Sequence, residues 1–115
     1  MHELSIALSI VDLAVAEASR QSEGRIVAVH LKIGSLSGVL PDALRSAFEL
    51  AREQTPLADA VLRIEEIPIV VFCPVCQTER RTEFPHLTCP VCGVITPDVI
   101  RGRELEVTAL EIESP

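Results

Sequence analysis

The residues best equipped for chemistry are four cysteines in two matched pairs. Cys73-Pro74-Val75-Cys76 is followed by twelve residues and then by Cys89-Pro90-Val91-Cys92-Gly93. Two cysteines separated by two residues can aim both sulfurs at one ion, and two such knuckles complete a tetrahedron. Zn²⁺ favours this soft, closed, four-coordinate arrangement. Four thiolates leave zinc no open position for catalysis, so the site should fold its loop rather than run a reaction. The same knuckles could hold iron for electron transfer. A single pair could serve thiol redox chemistry, although two matched pairs weigh against that. Unliganded core cysteines would have no reason to arrive in equal pairs. His86, three residues before Cys89, is either a polar loop residue, the commoner case, or a reserve ligand.

A second donor set opens the sequence with Met1-His2-Glu3. The Met1 amine, the His2 amide nitrogen and the His2 imidazole Nδ1 can close two fused chelate rings. Planar nitrogen donors suit Ni(II) or Cu(II) better than zinc. Glu3, solvent or a partner could supply a fourth donor. The plainer alternative is a frayed end ahead of a charged first turn. His30 reads as a structural or surface histidine within a strand.

These residues need elements to position them. Leu4, Leu8, Val11, Val15 and Ala18 recur at helical spacing and predict a helix over about 4–20. Ser5, Ser9, Asp12 and Ser19 form a narrow polar stripe, while Ile6, Ile10 and Leu13 make a second apolar ridge. A helix apolar over most of its circumference is covered on more than one side, by its own domain or by a partner. Residues 25–34 predict a strand with Val27, Val29, Leu31 and Ile33 facing a core. Pro41-Asp42 opens a second helix whose apolar face is Leu44, Ala47, Phe48 and Ala51. A strand follows over about 60–67, with Leu62 and Ile64 inward. An apolar run then leads into Cys73, and a last strand is predicted over about 104–113, with a phase shift after Ala109.

The expected fold class is therefore α/β of the α+β kind. A small sheet of about three strands and two helices carries an inserted zinc-ribbon-like module. Residues 1–68 and 99–115 would form the α/β domain, and residues 69–98 the module.

Composition narrows the function. The 115 residues carry a net charge of −7 and only 3% aromatic residues, with no Trp or Tyr. A polyanion would be repelled, and base-stacking platforms are scarce, so both counts speak against nucleic acid as a partner class. The apolar stretch from Leu4 to Ala18 lacks a basic leader and is interrupted by Asp12 and Glu17, which speaks against both a secretory signal and a membrane span. A cytoplasmic location is expected, where thiols stay reduced and the cysteines would not form disulfides.

Several stretches together resemble the HypA/HybF family of nickel metallochaperones for [NiFe]-hydrogenase maturation. They are the opening Met-His-Glu-Leu-Ser-Ile, Leu31-Lys32-Ile33-Gly34-Ser35-Leu36-Ser37, Ala47-Phe48-Glu49, Ile67-Pro68, the paired knuckles and Gly102-Arg103-Glu104-Leu105. Val94, after Cys92-Gly93, is a small departure from that pattern. The resemblance implies that His2 is the nickel ligand, aided by the Met1 amine and Glu3. It implies that Cys73, Cys76, Cys89 and Cys92 hold structural Zn(II). It further implies a non-enzyme whose α/β domain binds labile Ni(II). Its partners would be the hydrogenase large subunit and a hydrogenase-maturation GTPase, with urease maturation proteins and a homodimer as further options. The zinc loop, through Arg80 and Arg81, or the ridge of Ile6, Ile10 and Leu13 would meet those partners. The competing expectation is a zinc-stabilised adaptor with no labile metal, followed by an iron tetrathiolate electron carrier.

Overall fold

The computed structural model describes residues 3–21, 24–83, 86–96 and 98–113. The element order is α1 (Glu3–Gln21), β1 (Arg25–Gly34), α2 (Pro41–Ala51), β2 (Val61–Ile67), β3 (Ile69–Cys73), β4 (Thr78–Thr82), β5 (Val99–Arg101) and β6 (Leu105–Glu113). Two three-stranded sheets result, ordered β2-β1-β6 and β4-β3-β5. Two helices and a small three-stranded sheet match the expected fold class. The second sheet is additional.

The chain clusters into two compact units. One comprises residues 1–31, 39–65 and 106–115, and the other residues 32–38 and 66–105. In the first, α2 starts with Pro41, whose missing N–H costs nothing in an opening turn. Its buried residues are Leu44, Ala47, Phe48 and Ala51, the predicted face. Arg52 at its end reaches the Ala60 carbonyl, which ties the helix exit to the start of β2.

The face of α1 differs from expectation. Ala7, Ile10, Val11 and Ala14 are buried, whereas Leu4 and Leu8 remain about half exposed. The two alanines form a narrow line that permits close helix packing, and α1 does pack on α2. The leucines flank that line instead of filling it. The second ridge also divides, because Ile10 is buried and Leu13 is 52% exposed. Strand β1 departs from simple alternation too. Ile26 and Ala28 are buried on one phase, then Val29, Leu31 and Ile33 on the other. A central strand has neighbours on both edges and can be covered on both faces, so strict period two is not required of it.

The second unit is organised around β3. It pairs antiparallel with β4, from Ile69 opposite Thr82 to Cys73 opposite Thr78. It also pairs antiparallel with β5, with a register shift between Val70 and Val71. Ile69, Val71 and Cys73 are buried. The segment after β1 is bound to the same unit by backbone hydrogen bonds from Gly34 to Glu104, Ser35 to Ile67 and Leu36 to Gly102. A Cβ at Gly34 would collide with the Gly102 carbonyl, so this crossing requires glycine. No helix among the described residues is long and apolar enough to cross a membrane.

Candidate metal centre

Each knuckle is built by the same local geometry. After Cys73-Pro74-Val75-Cys76, the Gln77 N–H donates to the Cys73 carbonyl at 2.8 Å. After Cys89-Pro90-Val91-Cys92, the Gly93 N–H donates to the Cys89 carbonyl, also at 2.8 Å. Both closing residues lie in the left-handed region, Gln77 at φ 57° and Gly93 at φ 79°. Within each turn the second cysteine's N–H points at the first sulfur, Cys76 to Cys73 Sγ at 3.3 Å and Cys92 to Cys89 Sγ at 3.5 Å. Such N–H···S contacts favour the thiolate form needed for a metal ligand.

The supports of the two turns differ. Cys73 ends β3, and Thr78 begins β4 opposite it, so the first knuckle is the turn of a regular hairpin. The second rests on a short irregular loop with a single bridge between Thr88 and Ile95. Thr96 closes that loop. It is fully buried, its Oγ1 donates to the Leu87 carbonyl at 2.8 Å, and its N–H donates to the same carbonyl at 2.9 Å.

The turns bring all four sulfurs within 4.8 Å of one another. Cys73 and Cys92 are 3.5 Å apart, and Cys76 and Cys89 are 3.9 Å apart. A zinc tetrathiolate with Zn–S bonds near 2.3 Å has sulfurs about 3.8 Å apart. The geometry therefore fits a closed tetrahedral dication. The titration behaviour points the same way. N–H donation from Cys92, assisted by Val91, pulls the Cys89 thiol down to about 6. At Cys92 the Val94 N–H lowers the pKa, but desolvation and the sulfurs of Cys73, Cys89 and Cys76 outweigh it and push the thiol up to about 11. Of this pair one thiolate forms readily and its neighbour resists, a resistance that a cation among the sulfurs would relieve.

The other expected site residues have separate placements. Glu3 is the first residue of α1 and is half-buried, while Met1 and His2 lie outside the described residues. His86 is exposed and stands apart from the four-sulfur cluster. Its N–H donates to the Glu83 carbonyl and its own carbonyl accepts from Thr82 Oγ1, which fits a loop residue. His30 Nε2 meets Glu111 Oε2 at 2.8 Å across the first sheet. Arg80, one of the two arginines expected at the loop's partner surface, is half-buried and within hydrogen-bonding reach of the Cys76 and Cys89 side chains. The strand that carries it, Thr78–Thr82, is polar throughout and gives no hydrophobic alternation from which this orientation could be read.

Among the described residues, two small sheets, two helices and a four-sulfur cluster define a metal-handling protein. The sequence model of a family described as hydrogenase/urease nickel incorporation, metallochaperone, matches residues 1–112. A hydrogenase maturation factor HypA from Chloroflexus aggregans is 54% identical over 112 residues, covering 96% of this chain and 98% of the relative. The corresponding factor from Desulfatibacillum aliphaticivorans is 40% identical over 116 residues, covering 100% of this chain and 89% of the relative. Among solved structures, the nickel metallochaperone HypA from Helicobacter pylori superposes with a TM-score of 0.68 at 26% identity over the full length of both chains. The chain belongs to the HypA family of nickel metallochaperones for hydrogenase maturation. That family binds nickel and zinc, and the four-cysteine cluster fits its structural zinc.

Proposed function

We propose that Ni(II), the cargo, is taken up at His2, with the Met1 amine and Glu3 completing or orienting the site. Cys73, Cys76, Cys89 and Cys92 in turn hold resident zinc. The reading rests above all on the order Met1-His2-Glu3, whose last residue opens α1. Amine, amide and imidazole nitrogens there suit a planar Ni(II) chelate. The chain's other metal-ligand cluster among the described residues is a closed set of four sulfurs, whose geometry suits retention rather than transfer. Bound zinc supplies charge neutralisation to the thiolates and fixes the two knuckles together.

Function divides accordingly, with residues 1–68 and 99–115 serving nickel and residues 69–98 serving zinc. The protein acts by transfer and not by catalysis, in the cytoplasm. Nickel passes toward the hydrogenase large subunit with the maturation GTPase as co-worker. Urease maturation proteins are a second destination open to the same chemistry, and a homodimer is compatible with it.

The test is a calorimetric Ni(II) titration of zinc-loaded protein, beside His2→Ala and an N-terminally extended form. Stoichiometric binding lost in both variants is the expected result. Binding indifferent to His2 and to the free amine would overturn the assignment.

A further inference from the structure

Arg80 is the third residue of β4. It stands opposite Val71 in the β3–β4 ladder, two positions from the Cys73–Thr78 pair. Residues opposite each other, or two apart along a strand, share a sheet face. Arg80 therefore lies on the Cys73 side of the ribbon. Burial agrees, because Arg80 is half-buried between exposed Glu79 and exposed Arg81.

Two observations converge on its guanidinium. It lies within side-chain hydrogen-bonding reach of Cys76 from the first knuckle and of Cys89 from the second. Its Nε is a buried polar atom with no hydrogen-bond partner among the described residues. Leaving such a donor unpaired is costly, so the side chain is held inward by something other than ordinary polar contacts. Four thiolates around one dication carry about two units of negative charge. A guanidinium beside them offsets part of that charge where solvent is partly excluded.

We propose that Arg80 is a positioning and charge-compensating residue of the zinc site. It donates N–H···S bonds to one sulfur of each knuckle and thereby slows zinc release. The proposal rests on the zinc assignment. It also separates Arg80 from Arg81, whose side chain is exposed. Lysine should replace Arg80 only in part, because an ammonium is a point charge and cannot present a planar fork to two sulfurs.

The experiment measures zinc transfer from the full-length protein to the chromogenic chelator 4-(2-pyridylazo)resorcinol, with far-UV circular dichroism on the same samples. Wild type is compared with Arg80→Gln, Arg80→Lys and Arg81→Gln. The same set is loaded with Co(II) to record thiolate-to-metal charge-transfer bands, which report on the sulfurs directly. The expected result is transfer about 10- to 100-fold faster in Arg80→Gln. Its Co(II) bands should shift, Arg80→Lys should fall between it and wild type, and Arg81→Gln should match wild type. Equal rates and equal spectra in Arg80→Gln and Arg81→Gln would overturn the proposal. If Arg80→Gln does not fold, Arg80→Lys decides, and wild-type behaviour there would refute the two-sulfur bridge. Wild-type protein without stoichiometric zinc would overturn the zinc assignment itself, and the role of Arg80 with it.

Discussion

The two compact units solve the problem of stability differently. The first buries side chains from two helices, a sheet and the loop after α2, including Ile10, Val11, Val29, Leu44, Phe48 and Leu57. The second has a thin core of Ile33, Ile67, Ile69, Val70 and Val71, to which Cys73, Cys89 and Thr96 add their bulk. So small an apolar core rarely stabilises a fold unaided, and such units commonly depend on a metal or disulfide. The contrast teaches that the cysteines are not an ornament on a stable loop. They replace the missing hydrophobic interior.

Stripping the metal should separate the units most sharply. Structural zinc contributes on the order of 10 kcal/mol to folding in small modules. Chelation, or Cys89→Ser, should therefore abolish amide-exchange protection across residues 66–105 while protection in α2 persists. Simultaneous loss in both units would break the comparison. Phe48→Ala is the reciprocal change. Phe48 is only 1% exposed, and truncation of such a residue costs about 3–5 kcal/mol. Thermal unfolding should shift strongly while the Co(II) spectrum of the cysteine site stays as in wild type.

A smaller effect distinguishes the two knuckles. Gly93 has φ +79° and nothing within 4 Å of where a Cβ would sit. Gly93→Ala thus tests backbone strain alone, about 1–2 kcal/mol, read as earlier melting of the zinc unit. Gln77→Gly, at the equivalent position of the first knuckle, should change in the opposite direction or very little. The smallest effect lies in the first unit. Hydrogen bonding to His30, aided by its charge and by Arg63, holds the Glu111 carboxyl below its usual range. A carboxylate with a lowered folded pKa stabilises above its unfolded pKa, and the contribution disappears as pH falls through the folded value. Glu111→Gln should therefore lower Tm slightly near neutrality and leave it unchanged in acid, without altering metal content.

Legibility followed the same division. The face of α2 was readable because Leu44, Ala47, Phe48 and Ala51 recur at helical spacing while Arg45, Glu49 and Arg52 mark the opposite side, and of the large apolar residues only Leu50 falls among the polar ones. The face of α1 was not, because leucines outnumber the places available to them. Packing selected the small residues Ala7 and Ala14 and left Leu4, Leu8 and Leu13 largely outside. The four sulfurs were legible from spacing, since a two-residue separation dictates the turn. Strand β4 was hidden because Thr78–Thr82 is a strand through pairing with β3 and not through its own pattern. Arg80 was hidden with it, as its meaning depends on a ladder register that the local sequence does not contain.

The chain passes between the two units after residues 31, 38, 65 and 105, and this gives the first sheet a long closure to make. Strand β1 is central and pairs with both β2 and β6. All four cysteines lie between β1 and β6 in the chain. Joining them through one ion shortens the span that pairing β6 with β1 must close, and the entropy of that closure falls with it. Metal at the cysteines thus eases the assembly of a sheet that holds none of its ligands.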